Sequence, residues 1–263
     1  MSTAIALHQI NKVYANGTVA LQGIDLTIRK GEFVSLVGPS GCGKSTVLKL
    51  MAGLSVPTNG YLESPEVVGD RDLAFVFQDA ALMPWATVLD NVHLPLKLKG
   101  QSLRSSRSRI QAALNLVALE GFEHSYPRQL SGGMKMRVSI ARALVTNPQI
   151  LLMDEPFGAL DEMSRSRLNG DLLKLWEQYH WTVVFVTHNI YEAVYLSNRV
   201  VVMGAQPGRI VAEVPIEVPY PRDADFRTSP QFNQYCRDIS HWLAAGETMP
   251  ISSLSSLPST SAP

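Results

Sequence analysis

A chain of 263 residues with 46% hydrophobic and 17% charged content is long enough for one large α/β domain or two small ones, and it can build a core without covalent staples. Its 23 basic and 23 acidic side chains cancel, so no whole-chain field favours nucleic acid or anionic lipid, and any membrane partner must be met by a local surface. No apolar run approaches the roughly 18 residues of a membrane span, and the opening MSTAIALHQINK lacks a basic segment followed by an apolar signal core, which predicts a chain that stays in the cytosol.

In chain order, the alternating stretches 5–14 and 19–28, joined at Asn16-Gly17, predict an antiparallel sheet. Tyr14 ends the first of them, where it either stacks on a purine or simply packs. Residues 34–50, VSLVGPSGCGKSTVLKL, then change character three times: a buried strand over 34–37, a glycine-rich turn over 38–43, a helix from Lys44. Gly38-x-x-x-x-Gly43-Lys44-Ser45 fits the Walker A pattern without mismatch. Its glycines permit backbone conformations closed to other residues and aim consecutive N–H groups into a concave anion site at a helix N-terminus. Lys44 can reach the β- and γ-phosphates and Ser45 can offer a hydroxyl to Mg²⁺, so the stretch predicts a nucleoside triphosphate site. Cys42 and Cys236 match no metal-ligand spacing and read as free thiols, with Cys42 open to alkylation or oxidation when no nucleotide covers it.

Beyond the turn at 57–60 and a poorly patterned segment, LAFVFQ predicts a second buried strand ending on Gln78. That amide either contacts Mg²⁺ or the attacking water, or is a solvated loop residue. Met83-Pro84-Trp85 follows in a loop, with residue types that pack locally or dock partner proteins. Residues 88–121 turn helical, with Ile110, Leu114 and Val117 at one spacing and Arg104, Arg107 and Arg109 on a face that reads as solvated.

Leu130-Ser131-Gly132-Gly133-Met134 opens a helix that runs to a Pro148 stop. Ser131 with two glycines is either a second anion-suited helix start or an ordinary cap. Residues 150–153 form a third buried strand closed by Asp154-Glu155; alternation sends the two side chains to opposite sides, so one can serve Mg²⁺ and the other the attacking water. Gly158-Ala159-Leu160-Asp161 leads into a helix over 162–180 carrying Leu168, Leu172 and Trp176. TVVFVTH is a fourth buried strand ending on His188, which either bonds the γ-phosphate or is a satisfied surface residue. A short helix through Ala193 and Leu196, the strand RVVVMGA and a Pro207-Gly208 turn follow. Strands alternating with helices, each strand ending in a polar group, predict a mostly parallel α/β sheet with its site along one edge. The last part reads as a proline-rich stretch, a helix over 230–243 and a disordered tail.

Taken together, the motifs resemble the ATP-binding subunit of ABC transporters over about residues 5–210. Tyr14 matches that family's A-loop aromatic, residues 38–45 its Walker A and Gln78 its Q-loop. Residues 130–134 match its signature, Asp154-Glu155 its Walker B pair, residues 158–161 its D-loop and His188 its switch histidine. The resemblance implies a P-loop NTPase fold with an N-terminal antiparallel β subdomain and a helical subdomain at about 84–147. It places the ATP-binding domain at 1–215, a proline-rich segment and helix at 216–245 and the tail at 246–263.

It also implies two such domains facing head to tail, each ATP held between one copy's Tyr14, Gly38, Pro39, Ser40, Gly41, Cys42, Gly43, Lys44, Ser45 and Thr46 and the other's Ser131, Gly132 and Gly133. In that scheme Glu155 polarises water, His188 positions it, Lys44 neutralises charge, and Ser45, Gln78 and Asp154 order Mg²⁺. The implied partners are a second copy or a paralogue, transmembrane permease subunits docking near Met83, Pro84 and Trp85, and a periplasmic or lipid-anchored solute-binding protein, with no nucleic acid. The implied location is peripheral, on the cytoplasmic face of the inner membrane.

A finer resemblance, carried by FQDAALMPWATVLDNV and THNIYEAVYLSNRVVVMGAQPGRI, is to importers of nitrate, sulfonates and taurine. Three departures stand out: Met134 in place of the usual signature glutamine, Lys135-Met136 where a polar pair is common, and Asn189 where Asp is usual. The alternatives are a soluble ABC-type ATPase working on ribosomes, DNA or iron–sulfur assembly, and an exporter subunit.

Overall fold

The computed structural model describes residues 2–63, 73–158 and 160–248. Its N-terminal sheet has the order β2-β1-β4, with β1 (Thr3–Val13) pairing antiparallel to β2 (Val19–Arg29) across the Asn16-Gly17 turn and to β4 (Asn59–Glu63) on its other edge. β4 falls where the sequence reads a turn and the start of a poorly patterned segment, because its residues are almost all exposed and no apolar alternation marks it. β2 alternates plainly, with Leu21, Ile24, Leu26 and Ile28 buried between exposed neighbours. These side chains share a core with Val34 and Leu36 of β3 (Phe33–Val37) and with Val47, Leu48 and Met51 of α1 (Lys44–Met51). The small sheet thereby clamps the helix that follows the phosphate loop.

The larger sheet has the order β5-β6-β7-β3-β8-β9. β5 (Leu73–Val76), β6 (Ile150–Asp154), β7 (Thr182–Val186), β3 and β8 (Arg199–Gly204) run parallel, and β9 (Arg209–Pro215) closes one edge antiparallel to β8. Every residue of β3, β6 and β7 is buried, the reason they read as unbroken apolar runs. β9 escapes sequence reading because an edge strand is half-exposed and tolerates Pro215 at its end.

The helical stretch expected over 88–121 divides into α2 (Val88–Leu98) and α3 (Leu103–Leu116), with Gly100 at φ +76° turning the chain between them. Both pack on α4 (Gly132–Leu144), whose Val138, Ala141 and Leu144 share a core with Ile110 and Leu114. Thr87, Ser102 and Ser131 cap the three helices through side-chain oxygens that accept backbone N–H groups, each worth about 1 kcal/mol. Arg104, Arg107 and Arg109 are exposed, and Arg109 Nη2 also donates to the Val145 carbonyl beyond α4, at 2.8 Å.

α5 (Glu162–Tyr179) buries Leu168, Leu172 and Trp176 and ends where His180 turns left-handed at φ +51°. α6 (Ile190–Leu196) has only seven residues. The C-terminal part forms α7 (Ala224–Thr228) and α8 (Pro230–Thr248), with Phe232, Cys236 and Ile239 buried in the main core. α8 outruns the helix expected over 230–243 and takes in 246–248, where the sequence reading began its disordered tail. The remainder of that tail, residues 64–72 of the poorly patterned segment and Ala159 of the D-loop lie outside the described residues.

Candidate active site

Strand register brings the polar strand ends together. Asp154 lies opposite Val186 in the β6–β7 pair, and Val186 opposite Leu36 in the β7–β3 pair. The phosphate loop, the two carboxylates and His188 therefore leave one carboxyl edge of three neighbouring strands, the place where open α/β sheets hold ligands.

The phosphate loop is a backbone surface pressed between other strands. A Cβ on Gly38 would sit 2.6 Å from the Met203 carbonyl oxygen, and one on Gly43, at φ +94°, would sit 2.5 Å from Leu21 Cδ2. Lys44 Nζ donates to the Gly38 and Pro39 carbonyls at 2.7 and 2.9 Å, which holds the ammonium over the loop where phosphate oxygens would compete for it. Cys42 is fully buried, and burial pushes its thiol up despite the opposing Lys44 charge 3.8 Å from Sγ. This corrects the expectation that Cys42 becomes reactive once nucleotide leaves: the folded chain itself covers it.

Ser45 Oγ donates to Asp154 Oδ1 at 2.9 Å. Burial raises the Asp154 carboxyl above the usual range; the Ser45 hydrogen bond opposes that and the neighbouring Glu155 charge adds to it. His188 Nδ1 lies 3.1 Å from Glu155 Oε2, a distance at which Nδ1–H donates to the carboxylate. The adjacent acids do face different partners, but strand alternation is not the whole cause. β6 ends at Asp154, and Glu155 takes a left-handed backbone at φ +45°, a strain of about 1–2 kcal/mol. Two hydrogen bonds over-determine that conformation, Glu155 N–H to the Val186 carbonyl at 3.0 Å and Gly158 N–H to the Glu155 carbonyl at 3.1 Å.

Tyr14 is half-exposed, with its hydroxyl 3.1 Å from Thr46 Oγ1 and the Lys12 ammonium 5.3 Å from its ring centroid, so it stands beside the start of α1. Gln78 is exposed just past β5. Ser131 caps α4 by accepting from Met134 N–H at 3.2 Å and, among the described residues, shares no hydrogen bond with the phosphate loop or the strand-end groups. Gly132 faces open space. Lys44, Ser45, Asp154, Glu155 and His188 are thus gathered by one sheet edge, whereas the signature turn belongs to the helical layer.

Several residues that hold these loops were not singled out from the sequence. Arg142 on α4 donates to the Ala80 and Ala81 carbonyls at 2.8 and 2.9 Å, tying the segment after Gln78 to the signature helix. Asn91, fully buried, bonds both the N–H and the carbonyl of Met83 and the carbonyl of Ala86, shaping the Met83-Pro84-Trp85 loop. Arg165 donates to the Phe157 and Leu160 carbonyls at 3.3 and 2.9 Å and pairs with the buried Glu192 at 3.7 Å. Glu192 in turn accepts from Thr187 Oγ1 at 2.5 Å and Asn169 Nδ2 at 3.3 Å, beside His188. Burial raises the Glu192 carboxyl, opposed by those two hydrogen bonds and by Arg165. The legible signal was a polar residue on the apolar face of an expected helix, as Asn91 and Glu192 are.

A groove of about 630 Å³ is lined by Met83, Trp85, Asp90, His93, Lys97 and Leu103, with Trp85 77% exposed beside it. No helix among the described residues is long and apolar enough to cross a membrane.

The glycine loop between a buried parallel strand and a helix defines a P-loop nucleoside triphosphatase. A family model described as ABC transporter matches residues 21–158. An ABC transporter ATP-binding protein of Methanocaldococcus jannaschii, MJ0412, is 46% identical over 245 residues, covering 91% of each chain. The aliphatic sulfonates import ATP-binding protein SsuB of Bacillus cereus is 44% identical over 224 residues, covering 83% of this chain and 88% of its own. Among solved structures, the dimeric ABC transporter cassette MJ0796 superposes with a TM-score of 0.73 at 38% identity, over 82% of this chain and all of that one. The same cassette in a post-hydrolysis state with ADP and Pi gives a TM-score of 0.73 at 37% identity, again over 82% and 100% of the two chains. This chain belongs to the ABC transporter family, as an ATP-binding, ATP-hydrolysing subunit.

Proposed function

We propose that two copies of this chain, or one copy and a paralogue, close head to tail over ATP and so drive an importer of a small anion such as nitrate, an aliphatic sulfonate, taurine or bicarbonate. The observation that carries this reading is the separation of two anion-suited helix starts. One follows the phosphate loop at the sheet edge; the other, at Ser131, is on the helical layer and shares no hydrogen bond with it among the described residues. A second copy supplies the missing half, a reading supported by the dimeric state of the cassette this chain resembles. The importer class is supported by the sulfonate-import relative, whose name supports aliphatic sulfonates among these anions.

In this reading Lys44 and the loop N–H groups from Gly38 to Thr46, with Pro39 contributing shape alone, hold the triphosphate, and Tyr14 stacks on the adenine. Ser45 and Asp154 fit Mg²⁺: both are hard oxygen donors, 2.9 Å apart, and the carboxylate is buried at a cost that a divalent cation offsets. Mg²⁺ held there, with Gln78 as a further oxygen donor, would supply charge neutralisation on the triphosphate. Glu155 takes the attacking water's proton, and His188, tied to Glu155, keeps that water in line. Binding energy of ATP across the pair favours the closed state, and hydrolysis releases it.

The Met83-Pro84-Trp85 loop, held by Asn91 beside its groove, receives the permease subunits, which seat the chain on the cytoplasmic face of the membrane and select the solute with a solute-binding protein. The test is Glu155→Gln in the full chain. ATP affinity stays within about threefold, ATP-dependent pairing appears on size exclusion, and turnover falls about 10²–10³-fold. Wild-type turnover refutes the assignment of Glu155. Affinity capture on the same chain recovers a multi-span membrane protein; recovery of ribosomes or DNA instead favours a soluble ABC-type ATPase.

A further inference from the structure

α6 begins just past His188: Asn189 caps it, its Oδ1 accepting from the Tyr191 and Glu192 N–H groups at 2.9 and 3.3 Å. A seven-residue helix does not hold its own shape in water; its buried Ala193, Val194 and Leu196 pack it into the main core, and the polar contacts at its two ends fix how it sits there. Its N-terminal end is tied to α5 through Glu192, Asn169 and Arg165.

Its C-terminal end is closed by the segment 216–228, which the activity described above leaves without a task. Arg222 is 4% exposed, and its Nη1 donates to the Val194, Tyr195 and Ser197 carbonyls at 2.9, 3.1 and 2.9 Å. Tyr220 OH donates to the Leu196 carbonyl at 2.9 Å. Together these two side chains satisfy consecutive carbonyls from 194 to 197, the groups a helix end leaves without intrahelical donors. The Arg222 charge also sits at the negative end of the helix dipole. Its other nitrogen, Nη2, donates to the Ile216 and Val218 carbonyls at 3.2 and 3.0 Å, so the segment is bound to itself and to α6 by one guanidinium. The clamp is reciprocal, since Tyr195 OH donates to the Arg222 carbonyl at 3.0 Å. Arg227 completes it, lying 3.7 Å over the Tyr195 ring and donating to Ser166 Oγ on α5.

We propose that Tyr220 and Arg222 are positioning residues for ATP hydrolysis: the arm 216–228 caps the helix that carries the switch loop and thereby sets His188 against Glu155. The proposal rests on the role given to His188 above. It makes the arm a built-in support of the active site, and any contact that lifts the arm lowers turnover without touching nucleotide.

The test uses the purified full-length chain at concentrations that saturate ATP-dependent pairing, with Tyr220→Phe, Arg222→Lys, Arg222→Met and His188→Ala. Coupling through a packed network of this kind is worth about a 2- to 30-fold change, so kcat falls a few-fold in Tyr220→Phe and about tenfold in Arg222→Met, with KM for MgATP within about twofold. Arg222→Lys, which still donates to carbonyls, recovers part of the loss. The His188 imidazole NMR resonance shifts or broadens in Tyr220→Phe and Arg222→Met. Should Arg222→Met fail to fold, Tyr220→Phe decides, because it removes one hydroxyl and leaves the ring in place. Wild-type kcat and an unmoved imidazole resonance in Tyr220→Phe and Arg222→Lys, with His188→Ala inactive, overturn the proposal. Loss of kcat with an unmoved resonance overturns it too, as that is what a merely structural role produces. Wild-type turnover in His188→Ala overturns the role of His188 instead, and the resonance alone then decides whether the arm holds the loop.

Discussion

Replacing Gly43 by alanine puts a number on how the phosphate loop is built. At φ +94° an L-residue takes on a left-handed backbone at about 1–2 kcal/mol. The new Cβ then meets Leu21 Cδ2 at 2.5 Å and the Ala20 carbonyl oxygen at 3.0 Å. Leu21 is fully buried in β2, so its methyl gives way only by pushing into a packed core, and overpacking adds about 1–3 kcal/mol. The sum, about 2–5 kcal/mol, lowers the midpoint of thermal unfolding by about 5–15 °C in a domain of this size. Gly41→Ala is the control: at φ +80° with nothing within 4 Å of its Cβ, it carries the conformational cost alone. Differential scanning calorimetry of the two variants, with and without MgATP, separates the terms, and Gly43→Ala also weakens ATP binding because its N–H leaves the anion cradle. Equal and small losses in both variants would refute the packing of the loop against β2.

Asp154→Asn should trade function for stability. The folded-state pKa of Asp154 is raised by burial, so the nucleotide-free protein is favoured below the unfolded carboxylate value of about 3.9 and loses that contribution as pH rises through the raised value. Denaturant unfolding should therefore show Asp154→Asn at least as stable as wild type at pH 7 without Mg²⁺, the gap closing toward pH 4, while the extra stability that MgATP confers on wild type, removable by EDTA, disappears. Cys42 should react with iodoacetamide at pH 7.5 far more slowly than a model thiol, with or without ATP, because it is covered by the chain and its pKa is pushed up; rapid labelling in the absence of ATP would restore the sequence expectation. Trp85→Ala should leave unfolding free energy within about 0.5 kcal/mol, as expected for an exposed side chain, yet abolish capture of the membrane partner; undiminished capture would move the docking surface elsewhere.

The chain order of its polar punctuation told most of this story in advance. Gly38, Gly43, Lys44 and Ser45, the paired Asp154-Glu155 and His188 were legible because each interrupts or ends a fully buried apolar run, and a buried strand announces itself by composition alone. The family was legible for the same reason, since motif order survives in one dimension. β4 and β9 were not: both are edge strands whose residues are partly solvated, and what makes them strands is the hydrogen-bonding edge of a neighbour. The burial of Cys42 likewise depends on the loop folding under β2 and β8, which no local pattern states.

The supporting residues needed three dimensions most. Arg142, Arg165, Glu192 and Arg222 act by bonding backbone carbonyls or one another across sequence separations that carry no periodic trace, such as Arg142 to Ala80 or Arg222 to Val194. The sequence by itself determined the order of the polar groups that close its buried strands and the family that order marks, because those motifs are local to a few short turns. The tertiary structure alone decided how those turns are held: strand register sets their common edge, a left-handed Glu155 separates the two acids, and an arm from the chain's far end closes the helix beside His188. Register, strain and long-range capping are properties of packed neighbours, and neighbours exist only once the chain has folded.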